Sequence, residues 1–163
     1  MSACLHLIPC PLSGANLDQL SPQSIEAARS LHAFVAEKAK TARHFLKAIS
    51  HPRPLAEIQV YEIPRGEDST FVKEMIGMLK NGTSLGLVSE AGMPCIADPG
   101  YELVLSAHRE GIEIRPYAGP NSMTMALMAS GLPAQEFCFH GYLPAKKDSL
   151  RNAVIRVAEQ LKK

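Results

Sequence analysis

Apolar residues along this chain keep two rhythms that alternate. Five short runs, Leu5-His-Leu-Ile8, Ala33-Phe-Val-Ala36, Ile58-Gln-Val-Tyr-Glu-Ile63, Leu85-Gly-Leu-Val88 and Ile112-Glu-Ile-Arg-Pro116, are too short for helices and suit strands. Between them the apolar positions fall at helical spacing. Ala42, Phe45, Leu46 and Ile49 lie at i, i+3, i+4 and i+7, and Phe71, Val72, Met75, Ile76 and Leu79 repeat the pattern, as do Leu103, Val104 and Ala107. The boundary residues agree with these elements. Ser21 is placed as an N-cap before Pro22 at the first helical position, with Leu20 set to staple onto Ile25. Asp68 or Ser69 caps the helix that ends before Asn81-Gly82, and Gly111 stops the one before it. Asp98-Pro99 reads as an N-cap followed by proline at the first helical position.

Strand and helix alternate at ~25-residue intervals, the signature of repeated βαβ units. The expected fold is α/β: an open, mainly parallel, five-stranded sheet with helices on both faces. Crossovers of this kind are right-handed, so every strand-to-helix loop opens on one edge of the sheet, where ligands bind. Three of these loops, residues 9–14, 89–100 and 117–122, are rich in proline and glycine. The helix after Asn121 carries no charged residue from Met123 to Gly131 and is expected to be buried. Phe137-Cys-Phe-His-Gly-Tyr142 fits a last strand or an extended linker. Leu150, Val154, Val157, Ala158 and Leu161 form one face of a final helix whose outer side holds Arg151, Arg156, Lys162 and Lys163.

With 163 residues, 46% hydrophobic and 20% charged, the chain can bury one ordinary core. No run approaches the ~20 apolar residues of a membrane span, and Met1-Ser-Ala-Cys-Leu-His6 lacks a secretory pattern, so a cytoplasmic location is expected. The four cysteines are scattered without the paired spacing of zinc sites, which suits reduced thiols and no metal. Neither a dinucleotide fingerprint, a P-loop nor a nucleophile elbow occurs. From Lys38 to Ala56 the cations Lys38, Lys40, Arg43, Lys47 and Arg53 meet no acidic residue. Such a stripe is either a solvated helix face or a surface for a polyanion such as RNA. Glu90, directly after the fourth strand, is either solvated or a working carboxylate. Asp98 is read as a cap.

Taken together, Val88-Ser-Glu-Ala-Gly-Met-Pro-Cys-Ile-Ala-Asp-Pro-Gly-Tyr101, Gly119-Pro-Asn-Ser122, Gly131-Leu-Pro133 and Gly141-Tyr-Leu-Pro-Ala-Lys146 resemble the tetrapyrrole methylase superfamily. The similarity runs from Leu5 to Lys146, and the branch it most resembles is the 16S ribosomal RNA cytidine 2′-O-methyltransferase family. The resemblance implies a methyltransferase using S-adenosyl-L-methionine, held in a cleft between two α/β domains. It implies Pro11, Ala91, Gly92, Met93, Ile96, Asn121 and Ser122 as cofactor-binding residues and ribosomal RNA as substrate, with Lys38, Lys40, Arg43 and Lys47 touching the RNA. Glu90 and Glu37 are the candidate catalytic carboxylates by position. Three departures stand out. Met93 replaces a frequent aspartate, Glu37-Lys-Ala-Lys-Thr-Ala-Arg43 replaces a Glu-Asp-Thr-Arg motif, and Ser13-Gly14-Ala15 replaces a Gly-Asn ending.

On this reading residues 1–144 are the N-terminal methylase domain and 145–163 a linker and helix leading to a second domain absent from the chain. Alone it should bind cofactor weakly and not turn over, unless it completes its site with another chain, for example as a homodimer. Two other functions remain open: the same chemistry on a protein or tetrapyrrole acceptor, or a non-catalytic domain that keeps the fold.

Overall fold

The computed structural model describes residues 3–14, 16–66 and 68–160. Ala15, Leu161, Lys162 and Lys163 lie outside them, so the outer face expected at the chain's end is described only as far as Gln160. The chain forms two compact units, Met1–Ser130 and Gly131–Lys163. The first holds a five-stranded sheet in the order β3-β2-β4-β1-β5, built from β1 (Cys4–Ile8), β2 (Ala33–Ala36), β3 (Gln59–Glu62), β4 (Leu85–Val88) and β5 (Glu113–Pro116). Every pairing is parallel, with Leu5 opposite Leu85 and Phe34 opposite Gly86. β2 and β4 are buried at every position because the sheet is covered on both faces.

The strands step outward from β1 through β2 to β3 on α1 (Pro22–Ser30) and α2 (Ala39–Ala48). These helices pack with Ile8, Phe34 and Val88 on one face. The return from β3 through β4 to β5 uses α3 (Ser69–Lys80) and α4 (Tyr101–Arg109), which cover Leu5, Val35 and Leu87 on the other. The connections leaving the neighbouring strands β1 and β4 therefore part to opposite faces, which opens a crevice at their carboxyl ends.

Two helix starts are capped as the sequence predicts. Ser21 Oγ accepts from Ser24 N at 3.1 Å, and Asp68 Oδ1 from Thr70 N and Phe71 N at 2.8 and 3.2 Å. Asp98 is different. α4 begins only at Tyr101, behind Gly100 at φ 115°, and no side chain caps it. A Cβ at Gly100 would sit 3.0 Å from Leu87 Cδ2, so glycine is required both by the turn and by its packing. The N-cap position thus falls to Gly100 and not to Asp98.

α5 (Ser122–Ala129) corrects a second expectation, because it buries no residue: Met125 is 53% and Met128 83% exposed. Both sheet faces are already covered by α1 to α4, and this apolar helix keeps only Met123 and Leu127 partly buried. In the second unit Phe137 to Tyr142 form no strand, and α6 (Lys147–Gln160) follows. Among the described residues no helix is long and apolar enough to cross a membrane, and no group of three or more His, Cys, Asp and Glu is placed to hold a metal.

A polar pair of buried His6 and half-buried Tyr117 should give the fold a pH dependence. His6 Nδ1 lies 2.8 Å from the Tyr117 hydroxyl, and the two rings stack at 5.8 Å. Burial, and then the nearby Arg115 charge, hold the imidazole below its ordinary 6.5, against a smaller pull from Glu113. The unfolded chain thus takes up a proton that the folded chain resists. The stability tied to His6 is complete above pH 6.5 and is lost as pH falls below it. The urea midpoint should drop between ~pH 7.5 and ~pH 5.5, and His6→Gln should flatten that drop. A midpoint equally steep in both chains would show that His6 is not its source.

Candidate functional site

Three connections leave the carboxyl edge of the sheet and meet. The β1–α1 and β4–α4 connections are bridged by two backbone hydrogen bonds, Cys10 N to Gly92 O at 2.9 Å and Gly92 N to Cys10 O at 3.0 Å. Gly92 sits at φ 74°, and a Cβ there would lie 3.2 Å from Leu12 Cδ2 and 3.3 Å from the Pro120 carbonyl oxygen. Gly119 is closer still to the first connection, since its Cβ would fall 2.2 Å from Pro9 Cβ. The β4–α4 connection is also pinned from inside by buried Ser89, whose hydroxyl donates to the Gly92 carbonyl at 2.9 Å. Within it Cys95 and Ala97 hold φ of 65° and 63°, a costly backbone state for residues with a Cβ.

Of the predicted site residues, Pro11, Gly92, Met93 and Asn121 are gathered here. Asn121 Nδ2 approaches Met93 Sδ at 3.9 Å, while its Oδ1 accepts from Met123 N and Thr124 N and so caps α5. Ala91 and Ile96 are exposed on the β4–α4 connection, and Ser122 is exposed at the start of α5. Burial pushes the neighbouring thiols up, Cys10 to about 12 and Cys95 to about 11, which disfavours their reactive thiolate form.

Carboxylates line the rim beside this meeting point. Glu90 accepts from Lys38 Nζ at 2.5 Å and from Thr41 Oγ1 at 2.9 Å, which ties the start of the β4–α4 connection to the start of α2. The bond from Lys38, then that from Thr41, holds its carboxyl below the ordinary range. Glu90 is therefore better suited to positioning than to taking a proton. Asp98 goes the other way. Partial burial raises it, and the charges of Glu37 and Glu90 raise it further. It opens on a cavity of about 550 Å3 that is also walled by Ile63, Phe71, Val72 and Tyr101. Glu37 borders an adjoining hollow with Lys38, Lys40, Glu62 and Arg65, which shares Ile63, Pro64, Gly66 and Pro99 with that cavity. Asp98 as a rim carboxylate was masked in the sequence by Pro99, which made a cap the simpler reading.

α2 carries the basic stripe. Lys40, Arg43 and Lys47 are exposed on it, whereas Lys38, at its N-cap position, is engaged by Glu90. The helix has no cap from its own segment; Glu62, at the end of β3, accepts from Ala39 N at 2.6 Å instead.

The profile described as Tetrapyrrole (Corrin/Porphyrin) Methylases matches residues 13–159 of this chain. The chain belongs to the tetrapyrrole methylase family. Relatives of the methylase chain include the Ribosomal RNA small subunit methyltransferase I of Xylella fastidiosa, 35% identical over 96% of this chain and 55% of that protein. The protein of the same name from Halalkalibacterium halodurans is 37% identical over 92% of this chain and 50% of its own length. The chain spans about half the length of the curated relatives it matches. Among solved structures, the uroporphyrin-III-C-methyltransferase of Thermus thermophilus superposes with a TM-score of 0.57 at 18% identity, over 82% of this chain and 55% of that one. A diphthine synthase gives a TM-score of 0.57 at 19% identity, over 80% and 50%. At these identities the structures establish the methylase fold and not the acceptor.

Proposed function

We propose that the chain is the N-terminal α/β half of an S-adenosyl-L-methionine-dependent methyltransferase that acts on a ribose 2′-hydroxyl of ribosomal RNA. The observation that carries this reading is the two-bond bridge between Cys10 and Gly92. It joins two of the proline- and glycine-rich connections at one rim, and the third packs on both through Pro120 and Gly119. The places where a Cβ would crowd Leu12, Pro120 and Pro9 mark where these connections pack closely on one another, which holds the rim they share in one shape. Pro11, Ala91, Gly92, Met93, Ile96, Asn121 and Ser122 would hold the cofactor, which supplies a methyl group on a sulfonium. The names of the relatives, at 35% and 37% identity, support a ribosomal RNA acceptor.

The chain's own residues then have three tasks. The clasp of Glu90 with Lys38 and Thr41 fixes the β4–α4 connection against α2, because methyl transfer depends chiefly on alignment. A carboxylate at the rim accepts the hydroxyl proton; Asp98, whose proton affinity is raised by partial burial and then by the charges of Glu37 and Glu90, suits that task. Lys40, Arg43 and Lys47 attract the phosphate backbone. Residues 1–144 serve as the first domain, and 145–163 lead toward the part that closes the cleft, whether a second α/β domain or a partner copy.

Calorimetry with S-adenosyl-L-methionine tests this reading. Weak but saturable heat is expected, at least tenfold weaker with Gly92→Val, because that position needs a positive φ. Absence of heat at millimolar cofactor would make this a domain that kept the fold without the site.

A further inference from the structure

We propose that the cavity between the β1–α1 connection and α2 receives an unstacked base of single-stranded RNA while the flanking phosphates run along α2. The inference deepens the RNA reading above and rests on it. The cavity measures about 470 Å3, and its walls include Leu12, Thr41, His44, Phe45 and Ala48. The last four lie at i, i+3, i+4 and i+7, so one stripe of α2 forms a wall. Lys40, Arg43 and Lys47 lie at i, i+3 and i+7 on the adjoining stripe, all exposed. One helix thus sets three cations beside a hollow whose lining mixes apolar Leu12, Phe45 and Ala48 with polar Thr41, His44 and Glu90.

That juxtaposition selects the ligand. A flat group with an apolar face and polar edges must enter the hollow while negative charges spaced along a chain meet the stripe. Single-stranded RNA offers both, since its bases can splay out and stack on histidine or aromatic side chains. A duplex offers charge but keeps its bases stacked. An acidic peptide offers charge without a flat base. Both walls are fixed in advance. Leu12 N donates to Gln19 Oε1 at 2.8 Å, and the N-terminus of α2 is held by Glu62. Glu90, already bonded to Thr41 and Lys38, closes one end.

The test uses a short single-stranded RNA carrying a fluorescent adenine analogue, titrated into the chain over a range of salt. Binding should change the emission of the analogue. Ala48→Phe, which fills the cavity, and His44→Ala, which removes the stacking surface, should each weaken binding about tenfold and abolish the emission change. Both should leave the salt slope unaltered. Replacing Lys40, Arg43 and Lys47 together by alanine should lower that slope by roughly two. Cofactor heat is recorded for each variant, so failure of the methyl-donor reading shows as lost heat with base insertion intact. The proposal is overturned if the emission change survives both Ala48→Phe and His44→Ala. Equal binding of a duplex or of polyglutamate, or no RNA binding at low salt, overturns it as well.

Discussion

Gly119→Ala should weaken S-adenosyl-L-methionine binding by well over tenfold and cost about 1–3 kcal/mol of stability, the range for forcing atoms into a packed site. The added Cβ would stand 2.2 Å from Pro9 Cβ and 2.4 Å from Pro9 Cγ. A flexible side chain could swing away from such a contact, but a proline ring cannot, because it is closed onto its own backbone. Nor can Pro9 itself retreat. It follows Ile8, which is registered against Val88 in the middle of the sheet, and Cys10 behind it is bonded twice to Gly92. The β5–α5 connection must yield instead, although Tyr117 N is tied to the Leu7 carbonyl at 3.1 Å. Its displacement would carry Asn121 away from Met93 and open the rim. Gly77→Ala is the control, since a Cβ there meets nothing within 4 Å and sits inside α3. That change should stabilise by up to ~1 kcal/mol without touching cofactor affinity. Adding Pro9→Gly to Gly119→Ala removes both clashing atoms and should recover part of the lost binding. Wild-type affinity and melting temperature in Gly119→Ala alone would mean the two connections do not meet as described.

The parallel sheet could be read from the chain because its causes are local. Apolar runs such as Leu85 to Val88, buried at every position, identify interior strands without any knowledge of neighbours. Ser21 and Asp68 announce their helices for the same reason: a cap acts within three residues. Long-range features left fainter marks. Lys38 and Glu90 stand 52 positions apart, and the first looked like one more cation in a stripe. Asp98-Pro99 mimicked a helix start, and only the packing of Gly100 on Leu87 shows why the helix begins later. The helix from Ser122 to Ala129 lacks charge, which suggested burial, yet burial needs a covering surface and sequence periodicity does not supply one. The meeting of residues 9–14, 89–100 and 117–122 did follow from pattern, since right-handed crossovers force such loops to one edge. What pattern could not give is which atoms touch there.

The largest loss of stability should come from the pair Phe34 and Gly86. They are direct cross-strand partners on β2 and β4, and Phe34 is fully buried. A Cβ on Gly86 would lie 2.6 and 2.7 Å from Phe34 Cδ1 and Cε1, so the ring occupies the space a side chain on β4 would need. It is hemmed in by Leu31, whose Cδ1 would be 3.1 Å from the same Cβ, and by His51, edge-on at 6.4 Å between centroids. His51 is itself anchored, with Nε2 donating to the Leu31 carbonyl at 2.8 Å. Phe34→Ala should therefore cost about 3–5 kcal/mol, the usual cost of emptying a buried aromatic site. Gly86→Ala should cost about 1–3 kcal/mol for the opposite reason, overpacking. The informative chain is the double variant Gly86→Ala with Phe34→Leu. The smaller side chain makes room for the new methyl, so the two costs should fall short of their sum by at least ~0.5 kcal/mol in urea unfolding. Simple additivity would mean that the ring does not lie over the glycine. The central strands would then owe their stability to something other than this interlocked pair.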